Sequence, residues 1–168
     1  MTSNLSFVLF IGLVIAARLI ELRVAKKNEA WLRENGAVEY GQGHYPFIVA
    51  LHTLFILSMI VEYFMRGDAV INYLFLSTFM VLILLKIWTI SSLGKYWNTK
   101  ILRVPNSVFI KRGPYKYFRH PNYFIVISEI AVIPLVFGLF CTAIVFTVLN
   151  GVMLTVRIKA EGKVWKDN

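Results

Sequence analysis

Long apolar segments separated by shorter polar connections run along the whole chain. A stretch of about 20 apolar residues is the length that crosses a bilayer as an α-helix. Backbone N–H and C=O groups find no partner in lipid, so each such segment must satisfy its hydrogen bonds as a helix. We therefore predict an all-α integral membrane bundle of five transmembrane helices, forming one domain over residues 1–168. The predicted spans are Leu5–Leu22, Pro46–Phe64, Val70–Ser92, Tyr123–Leu139 and Cys141–Val156.

The first residues of the chain and the connection between its last two spans refine the predicted topology. Only the short stretch around Gly138–Phe140 separates the last two spans, and Pro134 comes shortly before it, so we predict a tight helical hairpin. Residues Met1–Ser6 carry no positive charge, and no small-residue cleavage site follows the first apolar segment. The first segment is therefore expected to be a retained span and not a signal peptide.

The distribution of positive charge predicts an orientation. Fifteen Lys and Arg residues lie after the first, third and fifth spans, against Arg66 alone on the other side. Cytoplasmic connections carry such an excess, so we expect the amino terminus outside and the carboxyl terminus in the cytoplasm of a bacterial cell membrane. The formal net charge of +9 accompanies 58% hydrophobic residues and a mean hydropathy of +0.65. Because the cations flank apolar runs, we expect membrane lipid and no nucleic acid as the partner of this charge.

One basic and aromatic segment, Lys111–Tyr123, carries the strongest indication of a ligand site. Pro121 suits the first turn of the fourth helix, which places His120 at the helix amino terminus, where free N–H groups favour negative charge. Arg119 adds a bidentate donor for a carboxylate. Gly113 and the proline after it permit a tight turn. We predict a binding site for an anionic group here. A positively charged membrane anchor with an aromatic belt is the simpler alternative.

Other ionisable residues are candidates with open alternatives. Arg157 and Glu161 lie four residues apart on one helical face, either as a solvated ion pair or facing the basic segment. Glu129 lies inside the fourth span, either protonated and bonded to a neighbouring helix or acting as a proton acceptor or substrate contact. For the remaining polar residues we expect structural roles: Glu62 and Lys86 snorkelling, His52 within the bundle, and Asn28 capping a short interfacial helix that reaches Arg33.

The sequence contains no recognisable motif for binding a metal ion or a nucleotide. The three histidines have no paired spacing, so no metal site is expected, and no glycine-rich dinucleotide turn or phosphate loop is present. The single cysteine, Cys141, rules out a disulfide within one chain. The oligomeric state is not fixed by the sequence.

The carboxyl-terminal half resembles a known family. The pattern Val108-x4-Gly113-Pro114-Tyr115-x3-Arg119-His120-Pro121-x-Tyr123, followed by Arg157-x3-Glu161, is similar to the isoprenylcysteine carboxyl methyltransferases, most of all their short bacterial branch. The resemblance runs from about residue 93 to the end of the chain. It implies a membrane-embedded enzyme that transfers a methyl group from S-adenosylmethionine, bound on the cytoplasmic side, to an acceptor that enters from the bilayer.

The resemblance also implies roles for individual residues. Arg157 would face the methyl acceptor. Glu129 is our second candidate for a catalytic residue. Family members often have His at the position of Asn106 and a second acid at that of Gly162. Glu129 is outside the general family pattern, so the acceptor is left as a lipophilic carboxylate or acidic hydroxyl, prenylcysteine-like or alkylpyrone-like. The expected cofactor-binding residues are Thr99, Asn106, Ser107, Val108, Phe109, Gly113, Tyr115, Arg119, His120, Pro121, Asn122, Tyr123 and Glu161.

Two other functions compete with methyl transfer. Residues 119–123 also match an Arg-His-Pro-Asn-Tyr block of NADPH-dependent membrane sterol reductases, although those proteins usually carry an acid soon after the tyrosine. A non-enzymatic protein that binds anionic lipid headgroups through its basic loop is the second alternative.

Overall fold

The part of the chain that the structure describes forms five α-helices and a small two-stranded sheet at one end of the bundle. A computed structural model describes residues 2–67, 70–105, 107 and 110–164. The sheet pairs β1 (Val38–Tyr40) with β2 (Ile101–Arg103) in antiparallel fashion, with Val38 opposite Arg103. The helices are α1 (Thr2–Glu34), α2 (Tyr45–Arg66), α3 (Tyr73–Leu93), α4 (Pro121–Leu135) and α5 (Phe140–Val164).

Four of these helices, α1, α2, α3 and α5, are long and apolar enough to cross a membrane. The helix α4 is also apolar but has only 15 residues, which gives a length of about 22 Å against a hydrocarbon core of about 30 Å. The predicted all-α membrane architecture is confirmed at this level. A fifth full crossing by α4 remains a prediction.

The turn between α4 and α5 is held by the end of α2. The carboxylate of Glu62 accepts hydrogen bonds from the backbone N–H groups of Cys141 (3.1 Å) and Thr142 (2.7 Å). These are among the free donors in the first turn of α5, so Glu62 caps that helix instead of reaching toward water as expected. Arg66 donates to the carbonyl oxygen of Gly138 in the same turn. Helix α2 thus fixes the predicted hairpin at two points.

Aromatic packing fills the bundle at this same end. The rings of Phe7 and Tyr63 stack at 3.6 Å, and Phe137 meets Phe7 edge-on at 5.2 Å. These three buried side chains come from α1, α2 and the α4–α5 turn. Association of helices in lipid depends on close packing more than on removal of apolar surface from water. The aromatic cluster is therefore well placed to hold the three elements together.

At the opposite end, α1 continues unbroken to Glu34, so the separate interfacial helix expected from Asn28 is wrong. Asn28 is buried, and its Nδ2 donates to the carbonyl oxygens of Gly94 (3.1 Å) and Trp97 (2.7 Å). A buried amide is best satisfied by backbone partners, and this one anchors the chain that leaves α3. The β1–β2 pairing, which the sequence interpretation missed, ties the same segment to the connection after α1.

A cluster of ionic side chains lies inside the bundle between α1, α3 and α4. The Nζ of Lys86 contacts Glu21 Oε1 at 2.7 Å and also the carboxylate of Glu129. Arg18 contacts the second oxygen of Glu21 at 2.9 Å. The side chain of Lys86 is 12% exposed, so it pairs inside the bundle, and the expectation that it snorkels is wrong. Two carboxylates and two cations balance one another, which makes their burial tolerable.

We expect Lys86→Met to destabilise the protein strongly. It leaves Glu129 without a cationic partner, and it removes one of the two cations that pair with Glu21. Breaking a buried ion pair on one side costs about 3–5 kcal/mol. Thermal unfolding of the detergent-solubilised protein measures the loss. Lys27→Met, at an exposed position of α1, is the matched control and should leave the melting temperature unchanged. Equal melting temperatures for the two variants would contradict a stabilising role for the cluster.

Candidate functional site

A cavity of about 200 Å³ opens at the end of the bundle that carries the small sheet. It lies between the end of α3, the β2 segment, the start of α4 and the end of α5. Its wall combines apolar side chains, aromatic rings, cations and one carboxylate. The lining residues are Leu93, Tyr96, Trp97, Asn98, Lys100, Ile101, Leu102, Arg103, Val104, Ser107, Ile110, Tyr115, Arg119, His120, Asn122, Tyr123, Arg157 and Glu161.

The hydroxyl group of Tyr123 connects the two predicted motifs. It donates to Glu161 Oε2 at 2.5 Å and accepts from Arg157 Nε at 3.0 Å. The guanidinium carbon of Arg157 also lies 5.5 Å from the centre of the Tyr123 ring, within range of a cation–π contact. Arg157 and Glu161 therefore face the start of α4 through a shared tyrosine, and they do not form the solvated ion pair that was the simpler alternative.

His120 completes this group from the turn before α4. Its ring stacks on Tyr123 with a centroid separation of 5.0 Å and an interplanar angle of 7°. Its Nδ1 lies 3.8 Å from Glu161 Oε2. His120 precedes Pro121, the first residue of α4, as predicted. The positive end of the α4 dipole and the exposed Arg119 leave this edge of the cavity electropositive, although the N–H groups of Tyr123 and Phe124 already donate to the carbonyl oxygen of His120.

The turn Gly113–Lys116 delivers Tyr115 to the cavity. Burial, together with the charge of Glu161, raises the pKa of Tyr115 above its ordinary value. Its phenol is therefore neutral near pH 7 and available as a hydrogen-bond donor. Gly113 has φ +52°, and a Cβ there would collide with the side chain of Ser92. The glycine brings the backbone against α3 and, unlike Tyr115, does not line the cavity.

The connection after α1 packs on the carboxyl-terminal part of α5. A Cβ at Gly41 would contact His44 and the methyl group of Ala160. Burial, and then the charge of Arg157, lower the pKa of His44 below its ordinary value. His44 is therefore neutral near pH 7 and adds no repulsion beside Arg157.

The remaining predicted site residues are placed differently. Thr99 lines a neighbouring cavity, and its Oγ1 lies 3.3 Å from the hydroxyl of Tyr45. Pro121 is buried at the start of α4. Glu129 lies eight residues further along that helix, in the ionic cluster with Lys86, so the structure does not bring it to the cavity of Arg157. Three predicted positions, Asn106, Val108 and Phe109, lie outside the described residues.

Two further cavities continue from this one into the bundle. A small cavity of about 50 Å³ shares Trp97, Asn122, Tyr123 and Arg157 with the first. A larger cavity of about 340 Å³ lies between α1, α2, α3 and α4 and is lined mainly by aliphatic and aromatic side chains. The small and the large cavity share the lining residues Arg18, Glu21, His52 and Val126.

The sequence interpretation gave no site role to part of this wall. The β2 segment and the chain before it supply Trp97, Lys100 and Ile101, and α5 supplies Asn150 to the small cavity. A lone asparagine in an apolar helix is a recognisable mark of a polar contact inside a membrane bundle. The pairing of β1 with β2 had no comparable mark, because each strand has only three residues.

The fold and the site define a membrane-embedded helical protein with a polar cavity at one end, an apolar cavity inside the bundle, and a small cavity between them that shares lining residues with both. The chain belongs to the isoprenylcysteine carboxyl methyltransferase (ICMT) family, whose family model matches residues 74–166. It is 42% identical to the uncharacterized protein YpbQ of Bacillus subtilis over 94% of this chain and 95% of that protein. It is 29% identical to an uncharacterized protein of Haemophilus influenzae over 88% of each chain. No solved structure matches it.

Family membership supports a membrane methyltransferase, a class that uses S-adenosylmethionine. The chemistry of the 200 Å³ cavity fits that cofactor. Arg119 and the start of α4 suit its carboxylate, and Glu161 suits its positively charged and hydroxyl-bearing parts. Leu93, Ile101 and other apolar residues of the wall suit an aromatic base.

We expect Gly113→Ala to destabilise the protein by about 1–3 kcal/mol, because alanine resists a left-handed backbone and its methyl group meets Ser92. Thermal unfolding measures the loss. Gly151→Ala, in open space on α5, is the control and should be neutral or slightly stabilising. The same Gly113→Ala change in a Ser92→Gly background should cost less, because the collision is relieved. An unchanged melting temperature for Gly113→Ala would contradict the packing described for this turn.

Proposed function

We propose that this protein is an S-adenosylmethionine-dependent O-methyltransferase that methylates a lipophilic acceptor at the inner face of the membrane. The observation that carries the proposal is the position of Arg157. It lines the polar cavity whose residues suit the cofactor and also the small cavity that shares four lining residues with the apolar cavity. A residue at that junction can contact a methyl acceptor beside the cofactor.

The proposed orientation places the sheet end of the bundle in the cytoplasm of a bacterial cell. It follows the excess of Lys and Arg in the connections at that end. S-adenosylmethionine is made in the cytoplasm, and the polar cavity then faces its supply. Because α1 reaches the sheet end with its carboxyl-terminal residues, its amino terminus would lie outside, and the carboxyl-terminal end of α5 would lie in the cytoplasm.

When bound, S-adenosylmethionine supplies a methyl group that its sulfonium has already activated for attack. The work left to the protein is to hold an acceptor oxygen in line and to exclude water. A carboxylate or acidic hydroxyl is anionic near neutral pH, so Arg157 can orient it through a charge-assisted hydrogen bond. Tyr123 holds the guanidinium group in place through its Nε. Glu161, which accepts a hydrogen bond from the same hydroxyl group, would face the cofactor.

The lipophilic part of the acceptor would occupy the 340 Å³ cavity between α1, α2, α3 and α4. Its volume lies within the range of about 300–1,000 Å³ that is typical of small-molecule sites. Lipid-facing helices border it, so a chain can enter from the bilayer without passing through water. The acceptor head would then meet Arg157 through the small cavity.

We expect Arg157→Ala to reduce turnover by about 10²–10³-fold or more, because the acceptor anion loses its orienting charge. The affinity for S-adenosylmethionine should change little, since Tyr123 and Glu161 remain. Methyl transfer from labelled S-adenosylmethionine to a bacterial lipid extract measures turnover, and calorimetry measures cofactor binding. Lys159→Ala removes an exposed charge two residues away and should be silent. Normal turnover by Arg157→Ala would refute the proposed role.

Cofactor binding separates methyl transfer from the competing functions. We expect S-adenosylmethionine to raise the melting temperature of the detergent-solubilised protein, since a ligand at 100 times its Kd stabilises by about 2.7 kcal/mol. NADPH at the same concentration should have no effect. Stabilisation by NADPH alone would favour the reductase. Stabilisation by anionic phospholipid and by neither cofactor would favour the non-enzymatic lipid-binding protein.

A further inference from the structure

Three residues that line the small cavity beside Arg157 each carry a buried polar side-chain atom without a hydrogen-bond partner. The cavity has a volume of about 50 Å³, and the atoms are Trp97 Nε1, Asn122 Oδ1 and Asn150 Nδ2. Trp97 and Asn150 are each 3% exposed, so bulk water does not satisfy them. Buried polar groups without partners are rare, and three around one cavity indicate a polar ligand group.

The three atoms differ in chemistry and in origin. Trp97 offers an N–H donor from the chain after α3, and Asn150 offers amide donors from the middle of α5. Asn122 offers a carbonyl acceptor from the first turn of α4. Asn150 lies seven residues before Arg157 on α5, which places both side chains on the same helical face, about two turns apart. A ligand group in the cavity therefore lies between these amides and the guanidinium group.

The size of the cavity limits what it can hold. A water molecule in liquid occupies about 30 Å³, so 50 Å³ accommodates one or two small oxygen-bearing groups and no complete headgroup. The opposite wall is formed by Arg18, Glu21 and His52. Arg18 and Glu21 already pair with each other, and His52 Nδ1 donates to the carbonyl oxygen of Ile48 at 2.8 Å. An uncharged carbonyl or hydroxyl group suits this environment better than a further ion.

We propose that Trp97, Asn122 and Asn150 form a subsite for a second polar group of the methyl acceptor, a carbonyl or hydroxyl that is separate from the oxygen that is methylated. Trp97 and Asn150 donate to an oxygen of this group, and Asn122 accepts from a hydroxyl or N–H group. This inference rests on the proposed function and extends it. The acceptor is an amphiphile whose head carries two neighbouring polar groups. The subsite selects such heads over simple fatty acids and simple phenols.

Two pairs of synthetic acceptors test the subsite, because the members of each pair differ by one polar group. The first pair is N-acetyl-S-farnesylcysteine and S-farnesylthiopropionate, which lacks the acetamido group. The second pair is 2-hydroxyhexadecanoic acid and hexadecanoic acid, which are both carboxylates near neutral pH. In whichever pair is methylated, we expect kcat/KM of the wild-type protein to be about tenfold higher for the member with the additional group.

Two substitutions should abolish that preference. Trp97→Phe removes the Nε1–H donor and keeps a ring, and Asn150→Leu removes the amide and keeps the same branching of the side chain. In both variants the ratio of kcat/KM within the pair should fall toward one. The Kd of Asn150→Leu for S-adenosylmethionine should stay within about twofold, because Asn150 does not line the 200 Å³ cavity, and an unchanged melting temperature shows that the fold of Trp97→Phe is intact. Thr147→Val is the matched control, because Thr147 Oγ1 is also buried and unpartnered on α5 but lines none of the three cavities. It should retain the wild-type ratio.

The outcomes separate this subsite from the proposed function. A wild-type ratio near one, or a ratio kept by both variants, overturns the subsite while methyl transfer stands. If the wild-type protein methylates none of the four compounds, their effect on its melting temperature is measured instead. A larger shift by the member with the additional group, lost in Trp97→Phe and Asn150→Leu, supports the subsite although the enzyme assay fails. Equal shifts, or none, overturn it.

Discussion

The hydrogen bonds of the Tyr123 hydroxyl group hold the candidate site together. One phenol connects the start of α4 to two positions one turn apart on α5, donating to Glu161 and accepting from Arg157. The turn of the α4–α5 hairpin at Gly138 lies 15 residues after Tyr123 and 19 before Arg157, and α2 fixes it through Glu62 and Arg66. Because the hairpin is anchored at one end and bridged at the other, the two helices have little freedom to slide. The relative position of the cavity walls depends on both attachments.

The lipid environment constrains where polar side chains can lie along the length of the bundle. Along α1, α3 and α4 the ionisable residues inside the bundle meet in a single charge-balanced cluster around Lys86. Residues beyond it toward α2 and the hairpin turn are almost all apolar or aromatic. This division gives the interior cavity a polar end near Arg157 and an apolar remainder. An amphiphilic ligand matches that gradient in one orientation only.

Much of the architecture could be predicted from the sequence, because a long apolar segment has few alternatives in a membrane. The hairpin and the approach of His120 and Tyr123 to Arg157 and Glu161 followed from helical spacing and from the family resemblance. Lys86, Glu62 and Asn28 were misjudged for a common reason. Each has a partner at least 60 residues away or on another helix, and periodicity along one helix carries no information about the neighbouring helix. The β1–β2 pairing was missed because three-residue strands leave no pattern.

Arg157 is the residue in which these constraints combine. Tyr123 occupies its Nε, and no other described side chain forms a hydrogen bond with its two terminal nitrogens. A guanidinium group held at one edge keeps its remaining donors in a fixed plane, so little conformational entropy is lost when an anion binds. A free arginine at a membrane surface would instead turn toward phosphate headgroups and water. The aromatic hydroxyl between Arg157 and Glu161 thus gives the cation a defined direction, and it keeps the two opposite charges from neutralising each other directly across the cavity.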